Sequence, residues 1–183
     1  MRFLRLSYQQ VQIIVGQAQS GLPDEICGLI VGQKGIAQQI ISIPNRSETP
    51  ETHFDMDAKA LLQAYKKMDA VGGELLAVYH SHPKSDPIPS QTDIREAMRN
   101  MPNVTQLIIS LKQQKARLQA WHIHDGRVDK VELLVGNEKS RSMQSLSRAQ
   151  VIAILVMTFL AVAFLISLSI SLLPPAPPIP TPQ

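Results

Sequence analysis

Cysteine is nearly absent from this chain. Cys27 stands alone among 183 residues, so no intrachain disulfide can form, which fits a reducing compartment. Basic runs are missing too. The formal net charge is only +3, and Lys and Arg are scattered without aromatic interleaving, so the composition offers no nucleic-acid surface. The N-terminus lacks the continuous apolar core of a signal peptide, because Ser7, Gln9, Gln10 and Gln12 break it straight after Met1–Leu6. No internal repeat is visible. One further absence is local: no residue from Val151 to Leu173 carries a charge.

That run, VIAILVMTFLAVAFLISLSISLL, is 23 residues long. As a helix it would span roughly 34 Å, against a hydrocarbon core of about 30 Å. Its only polar side chains are Thr158, Ser167, Ser169 and Ser171, so the pattern predicts a transmembrane helix over 151–173. Lys139, Arg141 and Arg148 precede it, whereas the tail 174–183 (PPAPPIPTPQ) has no charged side chain. The positive-inside rule then predicts a single-pass membrane protein with residues 1–150 in the cytoplasm and the tail opposite. Residues 136–150, rich in Ser, Asn, Gln and charge, read as a flexible linker, and the proline-rich tail as extended chain. A lipid bilayer is thus an expected partner.

Residues 1–135 read as one domain. Ser7-Tyr8-Gln9-Gln10 is a capping-box pattern, and Val11, Ile14, Val15 and Ala18 recur at helical spacing up to Gly21 and Pro23. Strands are predicted over 25–31, 36–43, 75–80, 104–111, 116–122 and 128–135. Asp57 starts a second helix that stops at Gly72-Gly73, and a third runs over 91–101. Six strands and three helices in this order predict an α/β or α+β domain, one sheet flanked by helices.

The chemistry lies in His80-Ser81-His82, followed by Ser90 and Asp93. On a strand, residues i and i+2 point the same way, so the two imidazoles share one side and Ser81 faces the other. Asp93, in the first turn of the next helix, can add a carboxylate oxygen. Two nitrogens and one oxygen are three ligands of a tetrahedral zinc, with the fourth position open for water, the mark of a catalytic site. Hydrolysis also needs a proton acceptor and a donor to the oxyanion. Glu25, a carboxylate at the head of an apolar run, is the candidate base. Ser90 is the candidate donor. His122-Ile123-His124 repeats the His-x-His spacing with no Ser and Asp to follow, so these two read as ordinary histidines. His53 reads as structural, and Cys27 as small-residue packing. Ser90 and Asp93 also make a capping box, which is compatible with a ligand role.

Glu25 with Ile26-Cys27-Gly28, then His80-Ser81-His82-Pro83, Ser90 and Asp93, resembles the motif of the JAMM (MPN-plus) zinc metallopeptidases, with every position filled at the family's spacing. The resemblance extends over about residues 1–135 and implies a cytidine-deaminase-like mixed sheet. It implies that His80, His82 and Asp93 bind one zinc, Glu25 is the general acid/base and Ser90 stabilises the tetrahedral intermediate. It implies a substrate bond at the C-terminal tail of a ubiquitin-like or sulfur-carrier protein, laid along a sheet edge. The alternative is a non-catalytic, membrane-tethered binding module for a small carrier protein.

Overall fold

The computed structural model describes residues 3–136, 156–158, 160–162 and 164–165. Seven strands, β1 (Phe3–Leu6), β2 (Cys27–Gln33), β3 (Ile36–Ile43), β4 (Glu74–His82), β5 (Thr105–Ser110), β6 (Arg117–His124) and β7 (Arg127–Val135), form one closed mixed barrel. Within residues 3–136 three helices accompany them: α1 (Tyr8–Gly21), α2 (Ala58–Ala70) and α3 (Gln91–Asn100). The order around the sheet is β1-β3-β2-β4-β5-β6-β7, and β1 closes it by pairing parallel with both β3 and β7.

The expected α+β domain is present, with one strand more than the six predicted. β1 is four residues long, too short to carry a period-2 signal, yet Leu4 and Leu6 are fully buried. The closure beside β3 is slight, a single pair between Arg5 and Ile36. The helix starts follow their caps: Ser7 and Gln10 make a reciprocal capping box for α1, and Asp57 accepts from the Ala60 amide at α2.

Two apolar clusters divide the sheet by strand alternation. Ile30, Ala77 and Tyr79 point to the cluster that contains Ile14 and Ala18 of α1. Cys27, Leu29, Val31 and Val78 point to the cluster that contains Ala64 of α2. His80 and His82 follow Val78 at even spacing on β4, so the pleat carries them to the α2 side. This alternation positions the site.

The membrane placement is corrected here. Among the described residues no helix is long and apolar enough to cross a membrane. The rest of the run 151–173, the linker from 137 on and the tail 174–183 lie outside the described residues. The single-pass arrangement and its cytoplasmic orientation are therefore withdrawn.

Candidate metal centre

His80 and His82 are the last residues of β4 on its buried face, with His80 fully buried and His82 4% exposed. Asp93 stands in the first turn of α3. Helix and strand bring the three together as expected. The Nε2 atoms of the histidines are 3.1 Å apart, and the Asp93 oxygens are 3.7 Å from His80 Nε2 and 3.4 Å from His82 Nε2. Three donors each about 2.05 Å from one ion at tetrahedral angles would be about 3.3 Å apart. The observed separations bracket that value.

The tautomers point to a cation as well. His82 Nδ1 donates to the Asp86 carbonyl at 2.9 Å, which leaves the lone pair of its Nε2 facing His80. In the neutral ring that lone pair, with His80 Nε2 and the Asp93 carboxylate beside it, is open to a divalent ion; without an ion, a protonated His82 pairs with Asp93. His80 is further fixed by Phe54, whose ring stacks on it at 4.6 Å. Burial drives His80 towards its neutral form, against the pull of Asp93. Burial alone would lower His82 and raise Asp93, but hydrogen bonding reverses both: Asp93 raises His82, and His80 and then His82 hold Asp93 well below the carboxylate range.

Glu25 lies two residues before β2, in neither helix nor strand, so the strand begins later than predicted. Its neighbour continues the ladder: the Ser81 amide donates to the Ile26 carbonyl at 3.0 Å, and the Ile26 amide donates to Ser81 Oγ at 3.0 Å. Since Cys27 pairs with His80, this register sets Glu25 opposite His82. Glu25 is 6% exposed, and its Oε2 has no hydrogen-bond partner among the described residues. Burial raises its carboxyl to about 7, with His82 opposing and Asp93 reinforcing the shift.

The sign of this shift yields a prediction for the metal-free protein. A carboxyl whose folded value lies above its ordinary 4.5 favours folding most at low pH and opposes it increasingly as pH rises towards 7. Glu25→Gln should therefore raise the melting temperature of the metal-free protein at pH 8 by more than at pH 4. An equal effect at both would mean that Glu25 is not held in an ionisation-resisting site.

Ser90 caps α3: its Oγ accepts from the Asp93 amide at 3.1 Å, and its own amide donates to Asp93 Oδ2 at 2.6 Å. Its hydroxyl proton is not engaged by that bond. His122 and His124 stack on each other, and His53 bonds locally to Thr49 and Thr52. Cys27 is buried, donates to the Ile43 carbonyl and has its thiol pushed up to about 12 by burial. Sequence reasoning gave Ser81 no role beyond its face and passed over Phe54 and Asn45. Each acts through a partner distant in the chain, so local spacing carries no sign of it.

Two imidazoles and a carboxylate come together on this mixed sheet within reach of one metal ion, with Glu25 opposite His82 in the ladder. Residues 8–124 match the prokaryotic homologs of the JAB domain, and the chain belongs to that family. A probable TtuB-protein conjugate cleaving protease of Thermus thermophilus is 42% identical over 82 residues, which cover 45% of this chain and 55% of that protein. The chain thus spans about half the length of that relative. A desampylase of Pyrococcus furiosus is 30% identical over 112 residues, covering 61% of this chain and 76% of its own. The solution structure of a protein from Desulfitobacterium hafniense aligns with a TM-score of 0.69 at 29% identity, over 78% of this chain and 99% of that one.

Proposed function

We propose that the protein hydrolyses a peptide or isopeptide bond at the C-terminal tail of a ubiquitin-like or sulfur-carrier protein. The observation that carries this reading is the convergence of His80, His82 and Asp93 with a buried Glu25 opposite His82, whose Oε2 has no hydrogen-bond partner among the described residues. The names of the Thermus and Pyrococcus relatives support the substrate class, one being a conjugate cleaving protease and the other a desampylase.

In this reading His80, His82 and Asp93 would hold zinc, which when bound would supply Lewis acidity, lowering the pKa of its water to about 7 and polarising a carbonyl. Glu25 takes the proton from the attacking water and returns it to the leaving amine. A carboxyl raised towards neutrality by burial suits that exchange. Ser90 directs its free hydroxyl proton to the oxygen that gains charge, while the Asp93 amide keeps the hydroxyl oriented. A glycine-rich tail can add along the outer edge of β3, which past Ile36 has no strand paired to it among the described residues. That edge ends at Ile43, which pairs with Cys27, two residues from Glu25.

Ser90→Ala should lower kcat by about 10²–10³-fold with zinc retained. Alanine also removes the α3 cap, which costs about 1 kcal/mol of stability, so folding is checked by thermal melting. A folded, fully active variant would take Ser90 out of the mechanism. The reading as a whole is tested by intact mass spectrometry of ubiquitin-like and sulfur-carrier proteins, with C-terminal extensions, after incubation with the zinc-loaded protein. Shortening to the carrier's own terminus is expected. Carriers that bind but stay full length would point to a binding module instead.

A further inference from the structure

Glu25 has no ladder of its own to hold it, being outside helix and strand. Its peptide is gripped at two points, both from the β3–α2 connection. Its amide donates to the Pro50 carbonyl at 2.7 Å, and its carbonyl accepts from Asn45 Nδ2 at 2.9 Å. Asn45 does more than this. The same Nδ2 donates to the His53 carbonyl at 3.0 Å, while Oδ1 accepts from the Ser47 and Asp55 amides, each at 2.9 Å. Both amide protons and both oxygen lone pairs are thereby used, a set that no other side chain of this reach supplies.

The connection that Asn45 organises is closed at its base by main-chain contacts. Asn45 bridges to Met56, the Arg46 amide donates to Asp55 at 2.7 Å and the Asp57 amide donates to Pro44 at 3.0 Å. Phe54, which stacks on His80, lies within it. One asparagine therefore joins the segment bearing the base to the segment that backs a metal-ligating imidazole.

We propose that Asn45 is a positioning residue for catalysis, setting the direction of the Glu25 carboxyl by anchoring its peptide to the 46–55 connection. The inference rests on the reading of Glu25 as the proton carrier. It touches neither metal nor substrate in this role. Its effect comes through geometry, where a displacement of about 1 Å at the reacting groups costs on the order of 10²-fold in rate.

Asn45→Asp in the full chain is the sharpest variant. It keeps the two acceptor bonds but turns an oxygen towards the Glu25 and His53 carbonyls, so both donor bonds are lost. With a ubiquitin-like carrier extended beyond its terminal glycine as substrate, kcat should fall about 10–100-fold with KM unchanged. Zinc should stay at one per chain, while hydrogen exchange at the Glu25 amide speeds up at least about tenfold. Should the aspartate variant fail to fold, Asn45→Ala loses the four bonds without the added repulsion and carries the same expectations. Wild-type kcat and wild-type exchange at Glu25, in either folded variant, would overturn the proposal, as would a rate loss that merely follows zinc loss. Glu25→Gln run in parallel separates the two levels: if that variant stays active, the reading of Glu25 fails, whatever Asn45 does.

Discussion

With glutamine at position 25, kcat falls by about 10²–10⁴-fold while the protein still binds one zinc per chain. Glutamine matches the shape of glutamate but cannot accept a proton, so the substitution isolates proton transfer. Glu25 is not one of the three clustered donors, which is why zinc should remain. The pH profile gives a second readout with a definite sign. Proton acceptance requires the ionised carboxyl, so kcat/KM should rise with pH through the acid limb. That limb should lie between the ordinary 4.5 and about 7, because the charge of a bound cation opposes the effect of burial. Any residual activity of the glutamine variant should lack the limb. An active variant with the limb intact would assign it to another group.

His82→Ala should abolish both zinc binding and hydrolysis. Removing one of three protein ligands leaves two, and the loss also frees the Asp86 carbonyl that orients the ring. The expected outcome is zinc content below about 0.1 per chain after dialysis against a weak chelator, with activity at background. Asp93→Asn should follow the same course. Its carboxylate bridges both imidazoles, with oxygens 3.4 and 3.7 Å away, so neutralising it removes the charge that offsets the ion's desolvation. His122→Ala is the control, since it has the same strand spacing but belongs to no metal-holding cluster among the described residues, and should keep zinc and rate. If zinc persisted in His82→Ala and were lost from the His122 variant, the metal would belong to β6.

The ligand set was legible because the period of a strand and the first turn of a helix fix where side chains point. His80 and His82 needed only their i, i+2 spacing, and Asp93 only its place in α3. The length of β4 was less legible. The strand predicted over 75–80 runs over Glu74–His82, as the shared face of His80 and His82 already required. Closure of the sheet was not legible at all, since β1 offers four residues and its main partner, β7, lies at the far end of the domain. Asn45 shows the same limit in a different form. After Pro44 it reads as a turn residue, and its four hydrogen bonds exist only once Glu25 and the 46–55 connection have met. Local pattern reveals what a residue can present; the partner it meets depends on tertiary pairing.

The most direct test of the account is anomalous diffraction at the zinc edge from crystals of the zinc-loaded protein. The account predicts one peak per chain about 2.0–2.2 Å from His80 Nε2, His82 Nε2 and an Asp93 oxygen, with Glu25 facing the remaining corner. A peak elsewhere, or a fourth protein ligand that fills that corner, would contradict it.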